Sequence, residues 1–357
     1  MRGQKIDRLG RSAPGRGRKT GRSVLPSSVF SNGRSLNITV VIPTRDRARL
    51  IERSLDSLRR QRRGPRQIMV VDDASRDGTP GVVRAWGERH GQPVRIEALA
   101  RNVGPAAARN HGIRLACTPY VAFLDSDDEH LPDTLERLCG ALDAHPDAVL
   151  AFGDATVVGP DGRAPHGLFA PHIDLGAEAE PLDDAMFALR NATDRLLPAS
   201  IIPTSATCFR RDAALDVGGM PDTFRSGEDW LFWLRLAQRG RFVFTPDDLA
   251  LHHRHDDNLT APAAGEFIAR EKLRGLLDLR SGKLGVPLST AQRSRVEAML
   301  ARQWRDWRYH LSRLGLRAYL AGLRSPLNRA AGMSSGHVIH DLKAMSRAAA
   351  ASMGLLK

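Results

Sequence analysis

Asp125 and Asp127 stand one residue apart in Asp125-Ser126-Asp127-Asp128, directly after the apolar run Tyr120-Val-Ala-Phe-Leu124. That spacing lets one turn aim two carboxylates at a common region. Hard divalent cations such as Mg²⁺ or Mn²⁺ take oxygen ligands, often one or two carboxylates completed by phosphate oxygens. The same tetrapeptide also suits a solvated turn capping the next helix. Asp72 and Asp73 follow another apolar run, Ile68-Met-Val-Val71. They can accept from a base N–H or from ribose hydroxyls, or cap a helix within the turn Asp72-Asp-Ala-Ser-Arg-Asp-Gly78. Arg109 complements an anionic ligand, or pairs with one of these aspartates. Carboxylates gathered on one rim repel each other unless a cation or hydrogen-bond donors join them.

The elements that must position these residues are legible from their apolar periods. Ile38-Thr-Val-Val-Ile42 is short, β-branched and stopped by Pro43, and Leu50, Ile51, Leu55 and Leu58 follow at helical spacing. The run at 68–71 predicts a second strand, and Val82, Val83 and Trp86 a second helix. Val94-Arg-Ile-Glu-Ala-Leu99 predicts a third strand, and Ala106 to Leu115 a helix. A fourth strand spans 120–124, a helix about 132–144, and a fifth strand Val149-Leu-Ala-Phe152. Nearly all-apolar strands suit a parallel sheet buried on both faces. Strands alternating with single helices imply right-handed βαβ units and a doubly wound sheet. Such sheets bind ligands beyond the C-terminal ends of their strands. The acidic residues stand there, with Pro43-Thr44-Arg45-Asp46 and Asn102-Val-Gly104-Pro-Ala-Ala-Ala-Arg109-Asn110. The sequence holds neither G-x-x-x-x-G-K-[ST] nor G-x-G-x-x-G, which argues against P-loop and dinucleotide chemistry.

Four segments occur in order: V-V-I-P-T at 40–44, V-V-D-D-A-S-R-D-G-T at 70–79, N-V-G-P-A-A-A-R-N-H-G at 102–112 and F-L-D-S-D-D at 123–128. Together they resemble the family 2 glycosyltransferases with the glycosyltransferase A-type fold, over about residues 38–260. Ser226-Gly-Glu-Asp-Trp-Leu-Phe-Trp-Leu-Arg-Leu236 resembles that family's Glu-Asp motif at a helix start. His253-Arg-His255-Asp-Asp-Asn-Leu-Thr260 resembles its closing His-containing segment. The resemblance implies a Rossmann-like α/β domain with a mostly parallel central sheet, followed by a C-terminal helical extension. It implies a nucleoside-diphosphate sugar as donor, a UDP sugar first among them, and a glycan, lipid-linked or other hydroxyl acceptor, in glycan or cell-envelope polysaccharide biosynthesis. Pro43, Thr44 and Arg45 would line the base and ribose pocket, Asp72 or Asp73 would bond the base, and Gly104 would allow close backbone approach. Arg109 would contact the nucleotide, Asp125 and Ser126 would sit near ribose or metal, and Asp127 would be the main ligand of Mn²⁺ or Mg²⁺. His255 would be a further metal ligand or diphosphate contact. Asp229, with Glu228 beside it, matches the general base of a single inverting displacement. A plain reading of Glu228-Asp229 is a charge pair complementing the helix dipole. Two positions depart from the family: Arg45-Asp46 replaces an aromatic-Asn pair, which leaves the base open, and His253 stands where Arg is frequent.

The composition sets the outer limits. The 357 residues carry a net charge of +13 and are 42% apolar. Residues 1–36 hold nine Lys/Arg against one Asp, residues 261–357 hold seventeen against six acids, and the body between them is net acidic. Basic ends on an acidic body argue against a specific nucleic-acid reading surface. The Arg-, Gly- and Ser-rich first 36 residues read as a disordered tail, residues 37–260 as the catalytic domain, divided near 130 into donor and acceptor halves, and residues 261–357 as a basic helical region. No apolar run nears the roughly 18–20 residues of a membrane span, and no signal-peptide core follows the N-terminus. Cys117, Cys139 and Cys208 lack metal-like spacing and read as thiols of a reducing, cytoplasmic compartment. Residues 155–200 read as acceptor-side loops. Val296, Leu300, Trp304, Trp307, Leu311 and Leu314 recur at helical spacing, with Arg302, Arg305, Arg308 and Arg313 between them. That stripe packs on the catalytic domain or another subunit, or lies peripherally on an anionic membrane, which would suit a lipid-linked acceptor. A catalytically inactive relative and a sugar nucleotidyltransferase are the competing functions. The latter would call for a Gly-rich, basic loop after the first strand.

Overall fold

The computed structural model describes residues 35–159, 162–255, 265–331 and 338–353. The basic tail through residue 34 and residues 256–260 of the closing segment lie outside the described residues. The alternation expected from the sequence is present as β1 (Leu36–Thr44), α1 (Ile51–Arg59), β2 (Pro65–Asp72), α2 (Thr79–His90), β3 (Val94–Ala98), α3 (Pro105–Leu115) and β4 (Tyr120–Phe123). The four strands pair in parallel in the order β3-β2-β1-β4. Successive side chains of a strand point to opposite faces, so each strand feeds two cores. Val41, Met69, Val71, Val121 and Phe123 enter one, while Ile38, Val40, Ile42, Ile68 and Val70 enter the other. Helix α3 lies unusually close to β1: a Cβ at Gly112 would stand 2.3 Å from Val41 Cγ1, so a side chain there would push α3 away.

Next come β5 (Glu129–His130), α4 (Thr134–Ala144), β6 (Ala148–Gly159), β7 (Gly162–Gly167), α5 (Leu175–Glu178), β8 (Ala179–Pro181), β9 (Phe187–Leu189) and α6 (Ala192–Leu196). After them follow β10 (Thr207–Arg210), α7 (Arg211–Asp216), α8 (Glu228–Leu236) and β11 (Arg241–His253). The sheet continues past β4 as β10-β6-β11-β9-β8, with β5 on β11 and β7 on β6. Strand β10 runs antiparallel to both β4 and β6, an insertion that the alternating pattern did not signal. Residues 155–200 are more ordered than the expected loops, since β6 extends to Gly159 and β7, α5, β8, β9 and α6 follow. Cys139 and Cys208 are buried thiols and Cys117 is exposed.

The C-terminal region forms α9 (Gly265–Arg280), α10 (Thr290–Arg313), α11 (Leu316–Arg324), α12 (Pro326–Ala330) and α13 (Val338–Ser352). A reciprocal capping box starts α10, in which the Ser289 hydroxyl accepts from the Gln292 N–H and the Gln292 side chain accepts from the Ser289 N–H. The Trp stripe is covered by the chain itself: Val296, Leu300, Trp304, Trp307 and Leu311 are buried, and Leu314 alone of the six is exposed. Trp304 Nε1 donates to Asn328 Oδ1 at 2.8 Å and Trp307 Nε1 to Glu266 Oε1 at 2.8 Å. Arg308, expected between the apolar positions as an outward charge, is buried instead, with its guanidinium 4.3 Å from the Trp304 ring centre. The stripe therefore packs inside the molecule, and its tryptophans are not a membrane-facing surface. Among the described residues no helix is long and apolar enough to cross a membrane.

Candidate functional site

At β1 and β4 the chain leaves the sheet in opposite directions, toward β2 and toward β10. Such a switch point opens a crevice beyond the strand ends, and here it is a cavity of about 1040 Å³. Its wall includes Thr44, Asp73, Gly104, Asp125, Asp127 and Asp229. Residues separated by up to 185 positions thus share one space.

The floor on the β1–β2 side is held by backbone-to-side-chain bonds. Asp46 N–H donates to Ser75 Oγ at 2.9 Å, Ala48 N–H to Asp77 Oδ2 at 2.9 Å, and Arg76 N–H to Asp46 Oδ1 at 2.6 Å. Asp73 spends both carboxylate oxygens on the next loop, accepting from Val103 N–H at 2.7 Å and Gly104 N–H at 2.8 Å. Gly104 has φ +94°, a conformation open to glycine and strained for other residues. Of the acidic pair expected at the base, Asp73 lines the cavity and Asp72 does not. Asp72 accepts from Ser75 N–H at 3.2 Å, a turn-capping role. The buried hydroxyl of Thr44 has no partner among the described residues and belongs to the cavity wall, together with Pro43 and Arg45. Arg45 lies 3.4 Å from Asp46.

Across the cavity, Arg109 ties two distant segments together. Nη2 donates to Asp125 Oδ1 at 2.5 Å and Nη1 to Glu228 Oε1 at 2.9 Å. The guanidinium lies 5.6 Å from the Phe123 ring centre. The side chain is buried and is not part of the cavity wall; it pairs with an aspartate, as one of its two sequence readings had it, and braces the end of β4 against α8. Burial opposes its charge, but Asp125 and Glu228 outweigh that and hold its pKa above the ordinary arginine value. Asp125 is raised above the usual carboxylate range by burial, with Arg109 pulling it back and Asp128 and Asp127 adding repulsion.

Glu228 and Asp229 open α8, after Gly227 in a left-handed conformation, φ +76°. The two carboxylates differ in surroundings. Glu228 is buried, and burial pushes its pKa up to about 7, against the pull of Arg109 and with added repulsion from Asp229. Asp229 Oδ2 accepts from Ser200 Oγ at 3.1 Å and Thr204 Oγ1 at 3.4 Å. An acid whose folded pKa lies above its unfolded value costs stability only once the unfolded state ionises. Glu228 should therefore cost nothing below about pH 4.5, and a growing amount as pH rises to about 7. At about 1.4 kcal/mol per pH unit this is on the order of 3–4 kcal/mol. The melting temperature of the wild type should fall relative to Glu228→Gln between pH 5 and 8, and parallel curves would count against this assignment.

Asp127 Oδ2 lies 3.0 Å from His255 Nε2 and 3.7 Å from Arg47 Nε. Ser126, buried beside it, also lines the cavity. Among the described residues no three His, Cys, Asp or Glu side chains converge on one point. Asp127 and His255 supply one carboxylate and one imidazole, a set that fits a divalent ion completed by phosphate oxygens of a ligand. Asp128 turns inward: it is buried and accepts from Ser205 Oγ at 2.6 Å and His253 N–H at 3.1 Å, with His252 Nδ1 at 3.3 Å. Sequence reasoning missed His252, Asp128, Arg47, Ser200 and Thr204 as members of this site. The first three adjoin or fall within motifs already singled out. Ser200 and Thr204 lie in a segment without a readable pattern.

The model of the family described as Glycosyl transferase family 2 matches residues 39–215. A pre-mycofactocin glycosyltransferase of Mycobacterium tuberculosis is 34% identical over 223 residues, 61% of this chain and 43% of the relative. The chain thus spans less than half the length of that curated relative. Staphylococcus aureus TarS residues 1–349, solved in complex with UDP-GlcNAc, aligns with a TM-score of 0.58 at 18% identity over 89% of this chain and 92% of that one. The mannosyltransferase PcManGT of Pyrobaculum calidifontis, solved with GDP-Man and Mn²⁺, aligns with a TM-score of 0.53 at 19% identity over 90% and 87% of the two chains. At these identities the structures share a fold, the glycosyltransferase A-type. Coverage near nine-tenths takes in most of the C-terminal helices as well.

Proposed function

We propose that this chain, which belongs to glycosyl transferase family 2 over residues 39–215, moves a sugar from a nucleoside-diphosphate sugar to an acceptor hydroxyl with inversion at the anomeric carbon. The observation that carries this reading is the division of labour between the two carboxylates at the start of α8. Both residues line the cavity, but Glu228 is bound by Arg109, whereas Asp229 has only hydroxyl donors on its Oδ2. An ionised carboxylate that is not neutralised by a cation can take a proton from an acceptor hydroxyl as that hydroxyl attacks. A single base facing the acceptor supports a single displacement, in which the acceptor oxygen bonds to the anomeric carbon as the bond to the diphosphate breaks, and hence inversion.

On the donor side, Thr44 offers an unpaired buried hydroxyl, and the Asp73-held loop brings the backbone of Gly104 to the cavity wall. We take the donor to be a nucleoside-diphosphate sugar, a UDP sugar foremost, since nucleotide sugars occupy the corresponding folds of TarS and PcManGT. Asp127 and His255 would hold a divalent metal, which when bound supplies positive charge to the diphosphate as it departs. A sugar nucleotidyltransferase is disfavoured, because Pro43-Thr44-Arg45-Asp46 contains no glycine and its backbone is pinned to Ser75. The acceptor is a hydroxyl of a glycan, lipid-linked or other molecule. With the Trp stripe buried, peripheral contact with an anionic membrane would rest on outward arginines of α10 such as Arg302, Arg305 and Arg313.

A thermal-shift panel of UDP, GDP, TDP and CDP, with and without Mn²⁺, tests the donor half of this reading. A ligand at a hundred times its Kd adds about 2.7 kcal/mol to the folded state. One nucleotide should raise the melting temperature most in Mn²⁺, and Asp127→Ala should lose the metal-dependent part. No response to any of the four would overturn the reading.

A further inference from the structure

His252 lines the same cavity, yet the chemistry described so far leaves it unused. It lies near the end of β11, paired in register with Val157 of β6, so its backbone is fixed by the sheet. Its side chain is 27% exposed, and its Nδ1 faces the 3%-exposed carboxylate of Asp128 at 3.3 Å. That carboxylate is itself fixed by the Ser205 hydroxyl and the His253 N–H. An imidazole held at Nδ1 by a buried acid has its second nitrogen, Nε2, left for whatever enters the cavity. Burial works against its positive charge, but Asp128, with Asp125 and Asp127 nearby, raises its pKa above the ordinary histidine value. A protonated imidazole has two donors and no acceptor, which suits an anion and does not suit a hydroxyl awaiting deprotonation. In sugar transfer from a nucleotide, the obligatory anion is the diphosphate.

We propose that His252, oriented by Asp128, donates a hydrogen bond from Nε2 to the diphosphate of the nucleotide, so that the chain itself contributes a cation to the leaving group. This rests on the reading of the cavity as a nucleotide-sugar site. The contact is distinct from that of His255, whose imidazole faces Asp127 instead. Asp128 acts here as a positioning residue: it fixes which nitrogen faces inward and keeps the proton on the ring. Charge-assisted hydrogen bonds of this kind are about twice as strong as neutral ones.

Calorimetric titration of the full chain with UDP and with GDP, each in Mn²⁺ and in EDTA, and with uridine and guanosine for comparison, tests the proposal. His252→Gln keeps the size and a donor but removes the charge. It should weaken the diphosphate that binds the wild type by about tenfold, in Mn²⁺ and in EDTA alike, and leave the matching nucleoside unchanged. Asp128→Asn should move binding in the same direction by a smaller factor. Wild-type affinity in His252→Gln overturns the proposal, and so does an equal loss for nucleoside and diphosphate, which would mark a structural role. A wild type that binds neither diphosphate, and responds to neither TDP nor CDP in the thermal-shift panel, overturns the nucleotide-sugar reading itself.

Discussion

Asp229→Asn should nearly abolish sugar transfer while leaving nucleotide binding intact. Asn has the shape of Asp and can keep the bonds from the Ser200 and Thr204 hydroxyls, so the wall of the cavity should hold its form. What disappears is the proton acceptor, and loss of a positioned general base costs about 10²–10⁴-fold in turnover. Glu228 does not replace it, because its Oε1 is held by the Arg109 guanidinium at 2.9 Å and its side chain is fixed in that buried pair. The measurement pairs donor turnover, followed as nucleoside-diphosphate release, with calorimetric binding of that diphosphate. Unchanged binding with a turnover loss of at least a hundredfold is the expected pair. Turnover within tenfold of the wild type would move the base to another residue.

The largest effect on stability should come from Arg109→Met. The substitution keeps a flexible apolar stem over Phe123 but strands two carboxylates, the partly exposed Asp125 on the sheet side and the buried Glu228 on α8. Breaking a buried ion pair by removing one partner costs about 3–5 kcal/mol, because the charge left behind is neither solvated nor paired. Both carboxylates already titrate above the ordinary range and can escape that cost by taking up protons. The loss should therefore be largest near pH 8 and smaller near pH 5, as read by urea denaturation at the two pH values. Arg109→Lys should fall between, since an ammonium is a point charge that lacks the fork needed to reach both acids. A loss under about 1 kcal/mol at pH 8 would show that Arg109 is not the strut described here.

The half of the fold that local pattern dictates was legible from residues 38 to 152. Runs such as Ile38–Ile42 and Ile68–Val71 cannot bury both faces except inside a layered sheet, and the polar residues that follow them must then sit on one rim. Strand β10 escaped because Thr207–Arg210 is four residues long, with an apolar pair too short to show a period. Its place between β4 and β6 is set by contacts more than fifty residues away in sequence. The same limit applies inside the site. Sequence places Asp72 and Asp73 together, but only the fold shows Asp73 clamping Val103 and Gly104 while Asp72 caps a turn. Arg109 reads in sequence as a ligand contact or an aspartate partner, and only the fold shows Glu228, 119 positions later, on its other nitrogen. In the C-terminal region the spacing of the Trp stripe gives its helix but not its neighbours, and α9 together with α11 to α13 supplies the cover.

Because β10 is stitched between β4 and β6, the sheet passes without a seam beneath both sides of the cavity. The two walls of the cavity thus stand on one plate, braced again by Arg109. On the proposed reading, admission of a sugar nucleotide and escape of its spent half would then fall to overhanging segments. The stretch carrying Arg225 is one: its guanidinium reaches Asn102 across the opening at 3.3 Å, while its backbone N–H is anchored to Glu271 of α9. That stretch thus links the loop before α3 to the C-terminal helices at the mouth of the cavity, so that a change in either would be felt at the other.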